Sequence, residues 1–194
     1  QLALMNAELH HRVKNTLATV QAIANSTLRR AKDLPTFAQT FGARLSALGT
    51  THALLVAGRG SSDLRELLCA ELKPYDIEDG ERLVLDGPDL DLPSAIAVPL
   101  GMAVHELTTN AVKYGALSVA SGRVIIRWLL THDADGRQVE LEWRETGGPP
   151  VERPTTEGFG SQLLRRVFSS QPDARIERHF EPSGIRVNIR LPLA

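Results

Sequence analysis

The chain has 194 residues, 42% of them hydrophobic and 23% charged, and its 22 Lys and Arg nearly balance 23 Asp and Glu for a formal net charge of -1. That length allows one ordinary domain plus a smaller element with a real core, and the near-neutral balance removes the electrostatic case for nucleic acid or an acidic membrane as partner. A single cysteine, Cys69, excludes an internal disulfide and a multi-thiolate metal site, and it agrees with a reducing compartment, the cytoplasm. By residue type Cys69 reads as a small buried hydrophobe on a helix, not a reactive thiol. No apolar run approaches the roughly 18 to 20 residues of a membrane span, and no basic start followed by an apolar core gives the pattern of a signal peptide. Because the sequence begins at Gln1 inside a helical pattern without an initiator Met, the expectation is a fragment with an upstream neighbour.

From Leu2 to about Ala31, apolar positions including Met5, Leu9, Val13, Leu17, Val20, Ile23 and Leu28 recur every three or four residues without Gly or Pro, which predicts one long helix. Pro35 fits the opening of a second helix, whose stripe runs Phe37, Phe41, Leu45, Leu48, His52 and Leu55. A short turn between them predicts an antiparallel hairpin. Two helices alone leave an apolar stripe uncovered, so a second copy completing a four-helix bundle predicts a homodimer. Gly58-Arg59-Gly60-Ser61-Ser62 reads as a flexible joint, placing a boundary near residue 60, and Asp63 caps a helix carrying Leu64, Leu67, Leu68 and Leu72. Beyond it the pattern predicts a strand at 82–85, a long helix at 93–114, strands at 124–130 and 139–144, a Gly/Pro-rich loop, a helix at 161–168 and strands at 175–180 and 185–190. Strands and helices mixed in this order give an α+β class: a hairpin over 1–60 followed by a second domain over 61–194.

Three stretches carry chemistry. In His105-Glu106-Leu107-Thr108-Thr109-Asn110-Ala111-Val112-Lys113-Tyr114-Gly115, Glu106 and Asn110 share a helix face, with Lys113 and Tyr114 a turn further on. Their oxygens are hard ligands suited to Mg²⁺ shared with nucleotide phosphates, although a solvated amphipathic face would read the same way. In the opening helix, Glu8-Leu9-His10-His11-Arg12-Val13-Lys14-Asn15 sets His11 beside the basic Arg12 and Lys14. Imidazole takes up and surrenders phosphoryl groups near neutral pH, and Arg12 and Lys14 could steady a γ-phosphate. His10 reads as an ordinary solvated position. Glu145, in Leu141-Glu142-Trp143-Arg144-Glu145-Thr146-Gly147-Gly148-Pro149-Pro150, falls at a strand end where a carboxylate can accept the exocyclic N–H of adenine while Gly147 and Gly148 let the backbone pass close. Trp143 reads as a packing residue. Gly158-Phe159-Gly160 opens a helix whose N-terminus can meet phosphate oxygens, but Gly-x-Gly is also an ordinary turn. Neither a Rossmann fingerprint nor a Walker run is present.

Taken in order, His11 in its Glu-Leu-x-His-Arg-x-Lys-Asn setting, the His-Glu-x-x-x-Asn helix, Trp-x-Glu and Gly-Phe-Gly resemble the HWE family of bacterial sensor histidine kinases over essentially the whole chain. The resemblance implies a dimerising phosphoacceptor hairpin and a Bergerat-type ATP-binding domain, the α/β sandwich of histidine kinases and gyrase-like ATPases. It implies His11 as phosphoacceptor, Asn110 as the Mg²⁺ ligand with Glu106 as its polar companion, and Lys113 and Tyr114 facing the nucleotide. Glu145 would stand where other histidine kinases place an adenine-reading Asp, with Gly147 two residues on, and Gly158 and Gly160 would lie in the phosphate-proximal loop. His105 and Trp143 are family markers, read here as packing residues. Two departures stand out. Arg12 replaces the acid that often follows the phosphoacceptor, leaving Glu8 as the candidate base, and the short Pro-rich stretch between Gly148 and Gly158 predicts a small lid.

The implied function is ATP-dependent autophosphorylation of His11 and transfer to an aspartate on a response-regulator receiver domain, under control of an upstream sensor domain. Two alternatives stay open on the residues alone. One is a phosphorelay scaffold that does not use ATP, and the other is a Bergerat-fold serine kinase or ATPase.

Overall fold

The computed structural model describes residues 2–58, 60–75, 82–133, 136–151 and 174–193, with the backbone alone for 2–9, 11, 12, 15 and 133. They fall into two compact units, residues 1–49 and 50–194. The first holds α1 (Leu2–Leu28) and the opening of α2 (Leu34–Ala57). After Leu28 the chain turns back through backbone bonds from Arg30 N and Ala31 N to Thr27 O. Asp33 opens α2 by accepting Thr36 N at 2.8 Å, and hydrogen bonds from the Thr36 hydroxyl and amide hold its carboxyl below the usual range. The two helices run antiparallel. Arg44 Nη1 donates to Thr27 Oγ1 at 2.8 Å, that hydroxyl donates to Ile23 O, and Ile23, Ala47 and Leu48 are buried beside them. The expected hairpin is therefore present, and α2 continues past Gly49 so that Thr51 and Leu55 are buried in the second unit.

That unit follows the expected α+β order. Ser61–Asp63 is a short strand, β1, leading into α3 (Leu64–Leu72); β2 (Leu83–Asp86) and β3 (Asp91–Pro93) precede the long helix α4 (Ser94–Lys113). The hairpin of β4 (Arg123–Asp133) and β5 (Gly136–Thr146) and the closing pair β6 (Arg175–Glu181) and β7 (Gly184–Leu193) complete it. Five strands form one sheet in the order β2-β4-β5-β7-β6, parallel between β2 and β4 and antiparallel elsewhere. Alternation along the strands sends Val124, Ile126 and Trp128, Val139, Leu141 and Trp143, and Val187, Ile189 and Leu191 to one face, where they meet Leu64, Leu67 and Leu68 of α3 and Ala97, Leu100, Val104 and Ala111 of α4. The other face carries charge pairs such as Arg190 with Glu140, 2.6 Å apart, and Arg127 with Asp86, 3.4 Å apart.

Two expectations need correction. The stretch read as a flexible joint is hydrogen-bonded. Gly58 N and Gly60 N reach Leu54 O and Leu55 O, Gly60 takes a left-handed φ of 107°, and Ser61 and Ser62 pair with Pro93 and Leu92 in a two-stranded sheet that the periodicity did not reveal. Three-residue strands are too short for an alternation pattern to register. Cys69 is exposed, not buried, because α3 turns its Leu64-Leu67-Leu68-Leu72 stripe inward and leaves residue 69 on the far side. The helix expected at 161–168 lies outside the described residues.

Asp63 ties these pieces together: Oδ1 caps α3 by accepting Glu66 N at 2.9 Å, and Oδ2 lies 3.4 Å from Leu90 N. Replacing it with Ala removes a cap and the partner of a half-buried amide. Asp63→Ala is expected to lower unfolding stability by about 1 to 2 kcal/mol, read as a shift in the urea midpoint at unchanged m-value.

Candidate functional site

Helix α4 presents three adjacent stripes. Val104, Thr108 and Ala111 are buried against the core, the Thr108 hydroxyl being satisfied by Val104 O at 2.8 Å. One residue on, His105 and Thr109 face α3 and the 3₁₀ turn Lys73–Tyr75 that follows it, through His105 Nδ1 to Glu71 Oε2 at 3.3 Å and Thr109 Oγ1 to Tyr75 Oη at 3.0 Å. One residue further, Glu106 is half-buried, and Asn110 and Lys113 are exposed, as is Tyr114 beyond the helix end. The stripe 106, 110 and 113 thus supplies a carboxylate, an amide oxygen and an ammonium along one face. These are hard oxygen donors of the kind Mg²⁺ takes, with a cation a turn away for phosphate.

Beyond α4 the backbone turns at Gly115 into a short 3₁₀ segment, Ala116–Ser118. Glu145, next to last in β5, shares the sheet's inward face with Trp143 and sits opposite Val124. It is 4% exposed. Its Oε2 accepts Ala116 N at 2.8 Å and its Oε1 accepts the Trp143 indole N–H at 3.1 Å. Burial raises the carboxyl above the usual 4.5, and the Ala116 and Trp143 hydrogen bonds oppose that shift. The close approach requires Gly115 to lack a side chain, since a Cβ there would overlap Glu145 Oε2. Gly147 takes φ +70°, where a Cβ would meet Ser121 O, and its own carbonyl accepts Ser121 Oγ at 3.0 Å. On the other side Arg82 fastens the same segment, donating to the carbonyls of Gly122, Leu117 and Val119 at 3.1, 3.2 and 2.7 Å.

The structure therefore brings together Glu106, Asn110, Lys113 and Tyr114 along and just past α4, with Glu145 and Gly147 at the loop that follows it. His11 lies in α1, its side chain outside the described residues, and Lys14 is exposed on the same helix, as is His10. Gly158 and Gly160 lie outside the described residues. Trp143 is fully buried in the core, as expected of a packing residue, and also donates to Glu145. Sequence reading missed Arg82, Glu71 and Thr51, because nothing local marks an arginine that binds carbonyls or a glutamate that will be buried. A depression of about 350 Å³ on the outer sheet face, lined by Arg127, Glu142, Arg175 and Arg190 among others, belongs to the surface charge rows and not to this site.

Residues 8–89 match the family model of the HWE histidine kinases. Over 192 residues the sequence is 38% identical to a blue-light-activated histidine kinase of Brucella anthropi and 35% identical to one of Brucella ovis, covering 98% of this chain in each case. The chain is thus similar over nearly its whole length to histidine kinases, and over residues 8–89 to the HWE family of them. The letters of the family name fall on His105, Trp143 and Glu145. It spans about two fifths of the length of these curated relatives, 39% of each. The fold agrees: the blue-light-activated histidine kinase of Erythrobacter litoralis superposes with a TM-score of 0.66 at 20% identity over 96% of this chain and 58% of that one. The histidine kinase domain of that protein superposes with a TM-score of 0.56 at 17% identity, over 91% of this chain and 96% of that one. The expected order of helical hairpin and histidine-kinase-type α/β domain is thus borne out. No helix among the described residues is long and apolar enough to cross a membrane.

Glu145 offers a pH test with a defined sign. Its pKa is raised in the folded state, so what the carboxyl contributes to stability is fully present below its unfolded value and is lost as pH rises through the folded one. Relative to Glu145→Gln, which does not titrate there, the wild-type chain is expected to lose stability as pH rises above 4.5, with a plateau once folded-state ionisation is complete. Urea midpoints of both proteins across this range measure it, and an opposite slope would show that the hydrogen bonds outweigh burial.

Proposed function

We propose that this chain is an HWE histidine kinase core that binds ATP·Mg²⁺ between α4 and the segment after Gly148, phosphorylates His11, and passes the phosphoryl group to an aspartate of a response-regulator receiver domain. The observation that carries this reading is the stripe Glu106, Asn110 and Lys113 on α4 beside the Glu145-Gly147 turn, within a chain similar to this family. In it, residues 61–194 act as the ATP-binding domain and residues 1–60 as the phosphotransfer hairpin, and the whole works in the cytoplasm downstream of a sensor domain.

Each residue has a role in that reading. Asn110 would hold Mg²⁺, with Glu106 as its polar companion; the ion supplies charge neutralisation for the phosphates. Lys113 and Tyr114 would face the nucleotide. Glu145 would accept the exocyclic amino N–H of adenine, since each carboxylate oxygen keeps a second lone pair after meeting Ala116 or Trp143. Gly147 would leave room for the base, and Gly158 and Gly160 would meet the phosphates. The imidazole of His11 would attack the γ-phosphorus in line, forming an N–P bond as the bond to the ADP oxygen breaks. The imidazole proton would leave to a base, for which Glu8 is the candidate. Lys14, exposed on α1, would steady the added charge. Positioning and charge neutralisation dominate such transfers.

Exposed Val13 and Leu17 on α1 and Leu45 on α2 support a homodimer in which a second hairpin covers them. The decisive experiment is labelling with [γ-³²P]ATP: the wild-type chain and His10→Ala are expected to take up acid-labile, base-stable label, and His11→Ala to take up none. Label retained in His11→Ala would overturn the acceptor, and acid-stable label would mean a hydroxyl is phosphorylated instead.

A further inference from the structure

The contact between α3 and α4 is built from matched positions four residues apart on each side. Leu67, Glu71 and Tyr75 follow one another along α3 and the turn beyond it, and Gly101, His105 and Thr109 do so along α4. At the first level a Cβ on Gly101 would lie 2.5 Å from Thr51 Oγ1 of α2 and 3.1 Å from Leu67 Cδ1 of α3, so both side chains pack directly against the α4 backbone. At the second, Glu71 Oε2 meets His105 Nδ1 at 3.3 Å while Glu71 Oε1 lies 3.4 Å from the Thr51 hydroxyl. At the third, Tyr75 Oη meets Thr109 Oγ1 at 3.0 Å. The central level is the enclosed one: the Glu71 and His105 side chains are 2% and 12% exposed.

His105 and Thr109 each stand one residue before a member of the proposed metal-side stripe, Glu106 and Asn110. One residue on an α-helix is a turn of about 100°, so fixing the first pair toward α3 fixes the direction of the second. Apolar packing of Val104 and Ala111 is non-directional and tolerates small rotations of the helix about its axis. A buried carboxylate with one imidazole and one hydroxyl to satisfy it does not, because rotation strands a charge away from water.

We propose that His105, through Glu71, is a positioning residue that sets the rotational phase of α4 and so aims Asn110 and Glu106 at the metal-bearing nucleotide. The inference rests on Asn110 holding Mg²⁺, as proposed above. The contact is made through Nδ1, whose place the side-chain nitrogen of Asn occupies and that of Gln does not, which gives a conservative rescue.

The test is titration of the 194-residue chain with ATP in Mg²⁺ and in EDTA, the readout being the gain in affinity that Mg²⁺ confers. Wild type and His105→Asn are expected to keep that gain, whereas His105→Gln loses about tenfold of it, the scale seen when the outer partners of metal ligands are removed. A merely structural role would lower affinity equally in both buffers. If His105→Gln does not fold, Glu71→Leu/His105→Leu removes the pair without stranding a charge and is expected to show the same loss. Asn110→Ala separates the two layers of the argument. Gain lost in Asn110→Ala but kept in His105→Gln, or in the double Leu variant, overturns the inference alone. Gain kept in Asn110→Ala overturns the metal reading and the inference with it. Equal loss in His105→Asn and His105→Gln overturns the assignment to Nδ1.

Discussion

Helix α4 has to do two things with opposite faces. It must bury Val104, Thr108 and Ala111 against the core and hold Glu106, Asn110 and Lys113 in reach of solvent, two residues or about 200° further round the helix. The rest of the second unit is arranged around that constraint. The β4–β5–β7 face supplies the apolar floor, α3 supplies polar partners for the stripe in between, and Gly101 lets the two helices close until those partners meet. A helix held by apolar packing alone would keep its place in the core and lose its aim.

The site is bordered by two buried glutamates, and burying carboxylates is costly unless each oxygen finds a donor. Glu71 lies against Thr51 and His105, and Glu145 receives Trp143 and the amide of Ala116. All three letters of the family name are thereby engaged in these two satisfactions, the histidine in one and the tryptophan and glutamate in the other. The second has a direct geometric effect. Glu145 pins the start of the 3₁₀ segment after α4 while Arg82 binds three of the carbonyls that follow, so the loop leaving the proposed nucleotide face is held from both sides. Gly115 is the opening through which the carboxylate reaches that amide.

Much of this was legible in the residue pattern. The long helix expected at 93–114 is Ser94–Lys113, the strands of the sheet lie where alternation placed them with ends shifted by no more than three residues, and Asp63 caps α3. Glu106, Asn110, Lys113 and Glu145 were identifiable as candidates because their chemistry is unusual at their spacing. The β1–β3 pair was not legible, and neither was the near-complete burial of Glu145 at its strand end. Strand ends look alike in sequence whether the next element folds over them or not; here the turn after α4 does.

The sequence by itself determined the element order, the antiparallel hairpin, the helix faces and the resemblance to HWE kinases, because periodicity, capping and motif spacing are set by residues a few positions apart. Only the tertiary structure decided which partners the unusual side chains take. Glu71 meets a hydroxyl 20 residues before it, and Glu145 meets an amide 29 residues before it. Those choices depend on how closely α3, α4 and the sheet pack, and the close approaches at Gly101 and Gly115 are set by the whole core at once.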